Sequence, residues 1–270
     1  TKGWYNLAGF NLQPVEFIKF ILVLFLAKYF SSRSLKFNEA KHLVISGGGV
    51  LVFIALVLLQ PDFGSAFVLF LFWLIMAAWV GFGKKYFFII FLVLSVVLAG
   101  SWYFIFQDYQ KERINTFLNP SFNPLSQGYN VSQAIIAVGA GGLIGRGLGF
   151  GSQSQLKFLP EAQTDFIFAV IAEELGFTGV LLILLFFGIF FYRSLYHLRR
   201  INNDFGIFFI LGSVSLIFIE MFINIGMNLG ILPVVGISLP FLSYGGSGLV
   251  SSLMLVGVME SIIIRSKINY

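Results

Sequence analysis

Long apolar runs broken by short charged stretches dominate the chain, and seven of them are marked, near residues 15–31, 43–60, 63–82, 86–107, 164–192, 206–228 and 240–264. Each is long enough, or nearly so, for the roughly 20 residues of helix that a bilayer requires. The pattern predicts an all-α integral membrane protein of about seven transmembrane helices, a single domain over residues 1–270. One connection breaks the rhythm: residues 108–163 are too many for a simple loop. Within it, Asn119-Pro120 and Asn123-Pro124 precede an apolar stretch, Val131 to Ile144, that suits a re-entrant or interfacial helix better than a span.

Composition agrees with a lipid solvent. Hydrophobic residues make up 58% of the chain and charged residues 11%, well below the roughly 25% usual in soluble domains. The net charge of +5 could suggest nucleic acid, but its distribution argues instead for topology and against a nucleic-acid partner. Arg33, Lys36 and Lys41; Lys84 and Lys85; Arg193, Arg199 and Arg200; and Arg265 and Lys267 follow alternate segments. The positive-inside rule assigns those loops, and the C-terminus, to the cytoplasm. The opposite side balances six bases (Lys2, Lys19, Lys111, Arg113, Arg146 and Lys157) against six acids (Glu16, Asp62, Asp108, Glu112, Glu161 and Asp165). The 108–163 loop is therefore expected outside. Seven spans with an inner C-terminus start outside, and the chain opens at Thr1 with no signal peptide. An N-terminal truncation that removed an odd number of spans is the expectation. The absence of Cys excludes disulfides, thiol nucleophiles and thiolate metal sites.

Candidate chemistry concentrates where the long loop meets the fifth segment, Phe158-Leu-Pro-Glu161-Ala-Gln-Thr164-Asp165. Pro160 suits a helix start and Gln163 or Thr164 a cap, which would put Asp165 in the first turn. An acid there either compensates the helix dipole or, at the foot of an outer loop with Glu161 one turn earlier, serves as a general base. Glu173 and Glu174 lie deeper, where structural pairing is favoured over direct catalysis. Glu16 and Lys19 share a helix face, as a surface pair or as the wall of a polar cavity. In Gln60-Pro61-Asp62-Phe63-Gly64 the turn is explained by Pro and Gly, and Asp62 by capping. The glycine run from Gly139 to Gly151 permits close backbone approach, but it lacks the preceding strand and the Lys-Ser/Thr ending of a nucleotide-binding loop. Asn224, Asn228, Pro233, Pro240, Ser243 and Gly245 to Gly248 interrupt the last two segments, through small-residue packing or around a cavity.

These motifs carry a resemblance. QPVEFIKF from Gln13, QPDFGSA from Gln60, DYQKERI from Asp108, QGYNVSQAIIAVGAGGLIGRG from Gln127, GSQSQLKFLPEAQTDFIFAVIAEELGFTG from Gly151 and NLGILPVVGISLPFLSYGGSG from Asn228 occur in the order found in the SEDS (shape, elongation, division, sporulation) family. The chain resembles the RodA/FtsW peptidoglycan glycosyltransferases, and the GSQSQLKFLPE wording is more similar to RodA. The resemblance implies a ten-helix fold of which the seven segments are helices four to ten. It implies polymerisation of lipid II into glycan strands at the inner (cytoplasmic) membrane during cell elongation, with Asp165 as the essential acid. Inverting transfer would release undecaprenyl pyrophosphate, its charge met by Arg113, Lys19 and a divalent cation, Mg or Mn. Glu161, Thr164, Glu16, Gln133 and Ser243, in the matching stretches, are expected to contact lipid II or the undecaprenyl-linked glycan. A class B penicillin-binding protein transpeptidase is the expected partner, besides membrane lipids. A lipid-linked precursor flippase, or a non-catalytic scaffold for a transpeptidase, would share many of these features.

Overall fold

The computed structural model describes residues 5–7, 10–32, 39–104, 110–111, 115, 117, 127–156 and 158–268. A short antiparallel hairpin, β1 (Tyr5–Leu7) and β2 (Phe10–Leu12), leads into a helical bundle. The helices are α1 (Pro14–Ser31), α2 (Glu39–Leu58), α3 (Phe63–Val80), α4 (Lys84–Phe104), α5 (Gln127–Gly141), α6 (Ser152–Gln155), α7 (Ile167–Tyr196), α8 (Asp204–Asn228) and α9 (Gly246–Ile268). The architecture is the all-α one expected, with the hairpin as an addition that the apolar pattern did not signal.

Local chemistry sets the helix ends. Pro14 opens α1, where its missing N–H costs nothing. Asp62 caps α3 by accepting from the Ser65 N–H at 2.9 Å and from Ser65 Oγ at 2.8 Å, as its motif suggested. Gly81 closes α3 with a left-handed φ of 86°.

Six of the helices, α2, α3, α4, α7, α8 and α9, are long and apolar enough to cross a membrane. The expected seventh, α1, has 18 residues and carries Glu16, Lys19 and Lys28, so it falls outside that set by composition. Packing explains how it keeps them. The helix runs at the centre of the bundle, against α8, α9 and α3, with Leu22, Val23, Leu26, Ala27 and Phe30 buried against Phe72, Met76, Phe209 and Ile210. Its two inner charges face protein rather than lipid.

Two boundaries differ from the hydrophobic pattern. The fifth segment starts as helix only at Ile167, after a series of turns through residues 160–166, and the seventh only at Gly246. Residues 231–245 are irregular and fold over the end of α8. Pro233 and Pro240, with Gly230 and Gly236 at φ of 71°, account for the break.

The expected short helix of the long loop is α5, and it packs along α7. Two glycines of the run, Gly141 and Gly145, lie close against the backbone of α7. At Gly176 (φ 66°, ψ −161°) α7 is broken, which frees carbonyls and N–H groups inside the helix. The glycine loop takes them up. Arg146 N–H donates to Glu173 O at 3.0 Å and Gly147 N–H to Glu174 O at 2.9 Å; Phe177 and Thr178 N–H donate to Gly142 O and Leu143 O at 2.9 and 3.1 Å. A polar backbone break at this depth is tolerable only when re-paired in this way. A Cβ on Gly141 would stand 1.8 Å from Ala172 O and one on Gly145 2.2 Å from Glu174 O, so no other residue fits. Glu173 and Glu174 have the structural role expected of them. Glu173 is fully buried and accepts from Ser152 Oγ (3.2 Å), Gln153 N–H (3.0 Å) and Ser154 N–H (3.3 Å), while Glu174 accepts from Ser154 Oγ (3.3 Å).

Candidate active site

A cavity of about 420 Å³ lies where α1, α3, α8 and α9 meet the 160–166 turns and the 231–245 segment. Its charged wall is built from α1 and α8. Lys19 Nζ donates to Glu16 Oε1 at 2.7 Å and to Glu220 Oε1 at 2.5 Å, and all three residues are buried. The expected Glu16–Lys19 pair is thus a buried triad with one more acid than base. Glu220 was missed in the sequence; the available signal was a lone carboxylate within an otherwise apolar segment.

The same cavity is lined by the turn that carries Glu161, Thr164 and Asp165. Asp165 sits two residues before α7, whose cap position is Phe166 and receives no side-chain cap. The capping role is therefore not the one its side chain takes, and among the described residues nothing donates a hydrogen bond to its carboxylate. Its backbone, by contrast, is held tightly. Asn224 Nδ2 and Asn228 Nδ2, one turn apart on α8, donate to the Asp165 carbonyl at 2.9 and 3.1 Å, and Asn224 also donates to Ile237 O at 2.8 Å. Ser243 Oγ donates to Thr164 O at 2.6 Å and accepts from Leu239 N–H at 2.7 Å, and Tyr244 N–H donates to Gln163 O at 2.8 Å. The two irregular segments are stitched together around the acid.

Burial, with smaller contributions from Glu161 and then Asp62, raises the Asp165 carboxyl to about 6. Thr164 Oγ1 donates to Glu161 Oε2 at 3.0 Å. Glu161 adopts a left-handed φ of 52° and Phe241, across the cavity, one of 66°. Such angles are strained for these residues and persist where the surroundings impose them. Gly236 leaves room for the acid: a Cβ there would stand 3.4 Å from Asp165 Oδ2.

Six of the eight candidate site residues, Glu16, Lys19, Glu161, Thr164, Asp165 and Ser243, line this one cavity. Ser243 reaches it as a backbone clamp. Gln133 lies elsewhere, half-buried on α5, because the packing of α5 on α7 leaves it off the cavity wall. Arg113 lies outside the described residues. Lys19 is committed to two carboxylates, and it is the only basic side chain on the wall among the described residues. No group of three or more His, Asp or Glu among the described residues converges to hold a metal, so the residues present do not form a protein-held cation site.

Comparison with known proteins bears on this geometry. The family model described as cell cycle protein, FtsW/RodA/SpoVE, matches residues 1–268. The chain belongs to the FtsW/RodA/SpoVE family. Stage V sporulation protein E of Bacillus subtilis is 38% identical over 265 residues, which cover 97% of this chain and 71% of that protein. Peptidoglycan glycosyltransferase MrdB of Escherichia coli K12 is 38% identical over 264 residues, covering 97% and 70%. A probable peptidoglycan glycosyltransferase FtsW of Geobacter sp. strain M18 is 37% identical over 273 residues, covering 99% and 72%. A solved peptidoglycan synthase complex that coordinates polymerization and crosslinking superposes with a TM-score of 0.80 at 27% identity, over 99% of this chain and 74% of that one. RodA of Thermus thermophilus shares the fold, with a TM-score of 0.64 at 24% identity over 97% and 68%. Together with six spanning helices, membership of the FtsW/RodA/SpoVE family makes the chain a multi-pass membrane protein.

Proposed function

We propose that the chain is a peptidoglycan glycosyltransferase that polymerises lipid II, with Asp165 as the general base. The observation that carries the assignment of the base is a desolvated carboxylate, raised to about 6, whose backbone is pinned on both sides while its oxygens stay free beside a cavity. Relatives named peptidoglycan glycosyltransferase at about 38% identity supply the reaction class. The acceptor sugar 4-hydroxyl attacks the anomeric carbon of the growing chain. Its proton passes to Asp165 as the C–O bond to undecaprenyl pyrophosphate breaks, with inversion at that carbon. A base near 6 is ionised at neutral pH yet stronger than an ordinary carboxylate, as such a step requires.

Asp165→Asn tests the assignment. Asparagine keeps the size and one acceptor oxygen but takes no proton, so glycan polymer from labelled lipid II should fall by about 10² to 10⁴ in rate. A purified, monodisperse mutant that retains more than a tenth of the wild-type rate would sink the base, and Glu161 would be the next candidate. Lipid translocation without polymer would instead favour a flippase. The similarity to a complex that joins polymerization to crosslinking supports partnership with a class B penicillin-binding protein transpeptidase. In this reading the 108–163 loop lies outside, the C-terminus inside and the elongation role follows RodA. A divalent cation, Mg or Mn, would come with the substrate's phosphates, since no group of three or more His, Asp or Glu among the described residues converges to hold one.

A further inference from the structure

The start of α9 opens onto the same cavity with groups that neither the packing nor the base uses. Leu249 N–H donates to Gly245 O at 3.0 Å, which makes Gly245 the cap residue and leaves the N–H groups of Gly246, Ser247 and Gly248 without a carbonyl one turn earlier. Ser247 is 6% exposed, lines the cavity, and its Oγ has no hydrogen-bond partner among the described residues. A buried hydroxyl left unpaired is costly, so a missing partner is implied. The neighbouring glycines give a second sign. Gly245 and Gly246 do not adopt positive φ, and a Cβ on either would meet nothing within 4 Å. Neither the turn nor the packing requires glycine there, while a ligand approaching the helix end would.

We propose that the N-terminus of α9, through the N–H groups of Ser247 and Gly248 and through Ser247 Oγ, is a binding site for a phosphate oxyanion. Its chemistry suits the diphosphate of a lipid-linked sugar. The site deepens the glycosyltransferase reading and rests on it for that choice of substrate. The helix end carries a partial positive charge, and its donors are fixed before the ligand arrives. Such donors matter here because Lys19, the basic side chain on this wall, is already engaged by two carboxylates, Glu16 and Glu220, and brings no net positive charge. Glu16 Oε2 stands 3.7 Å from where a Cβ on Gly248 would lie, so the oxyanion shares this end of the cavity with a carboxylate whose other oxygen is paired to Lys19.

The test uses inorganic diphosphate as the probe, titrated calorimetrically against the purified protein in phosphatidylcholine nanodiscs. Wild type should bind saturably, and Ser247→Ala should weaken binding about tenfold, the scale of one hydrogen bond to a charged group. Ser247→Thr, which keeps the hydroxyl, should restore most of it. Gly245→Val should weaken binding while leaving the melting temperature within a few degrees, because its side chain enters open space. Repeating the titration in phosphatidylglycerol nanodiscs separates the sources: competition there identifies a phospholipid headgroup as the occupant, and its absence the substrate's diphosphate. Unchanged diphosphate affinity in both Ser247→Ala and Gly245→Val, with polymerisation normal, would overturn the site. Diphosphate binding that depends on Ser247 in a wild-type protein unable to polymerise lipid II would overturn the enzymatic reading and leave this site standing.

Discussion

At the scale of single residues the site is decided by what holds Asp165 and what does not. Its carbonyl is fixed by two asparagines while its carboxylate is left free in a partly dry place, raised to about 6 chiefly by burial. The polymerisation rate should therefore climb with pH through a midpoint near 6. Glu161→Gln should lower that midpoint only in part, because burial is the larger cause; a fall to the ordinary carboxylate range would show the charge to be dominant. Stability follows with the opposite sign. A carboxyl whose folded pKa is raised opposes folding once ionised, so wild type loses stability as pH rises from about 4 through 6. Asp165→Asn should melt at a higher temperature than wild type at pH 8 and at nearly the same temperature at pH 4. Asn228→Leu removes one of the two carbonyl clamps and should lower kcat more than it raises KM. In the sequence, the position of Asp165 at the foot of a long loop left the acid between a cap and a general base, and the choice of base came from the resemblance to RodA and FtsW. The acid's clamps were visible only as interruptions of an apolar segment, because their partners lie 59 and 63 residues away.

At the scale of elements, the glycine loop and the broken helix form one unit. The loop was legible as irregular and the break was not, because Gly176 sits in an apolar run that reads as continuous helix. Only the approach of residues 142–147 reveals that four backbone groups there are satisfied from outside α7. Gly176 lies nine residues into α7, about 14 Å along the axis at 1.5 Å per residue, so the loop is held well below the helix start. Leu143, Ile144, Leu148 and Phe150, all exposed on this loop, match an apolar solvent at that depth. Two alanine substitutions should separate the contact from the composition. Gly145→Ala forces a Cβ to 2.2 Å from a carbonyl oxygen and adopts φ of 79°, so a loss of several kcal/mol is expected, about the 3 kcal/mol or more of other severe backbone clashes. Gly139→Ala, within α5 with nothing in 4 Å of its Cβ, should instead stabilise by about 0.5–1 kcal/mol. Thermal unfolding in detergent reads both, and similar melting points for the two would refute the clamp.

At the scale of the whole molecule, the buried triad joins the first helix to one 201 residues later, and it predicts an order among substitutions. Removing Lys19 leaves two carboxylates facing each other in a dry place, whereas removing Glu220 leaves a balanced pair. Lys19→Met should cost about 3–5 kcal/mol and Glu220→Gln much less. Equal melting points would mean that water reaches the triad. Sequence pattern could mark Glu16 and Lys19 as neighbours on one face, but the choice between lipid-facing surface and cavity wall depended on which helix covered that face. Orientation is the remaining property of the whole, and it rests on charge. The basic loops follow alternate segments, with His197–Arg200 forming a tight turn between α7 and α8 that carries Arg199 and Arg200. Moving such a turn across the bilayer would cost more than leaving it inside, so this end of α7 should be cytoplasmic and the glycine loop near its other end should face outward. The 270 residues contain no cysteine, which makes the test direct. Single cysteines placed at Gln163, an exposed position in the turns before α7, and at His197 would be treated in intact cells with a membrane-impermeant thiol reagent. Labelling at 163 alone is expected. Labelling at 197 alone would invert the molecule, put the cavity and Asp165 on the cytoplasmic side, and so remove the outer-face chemistry from the proposal.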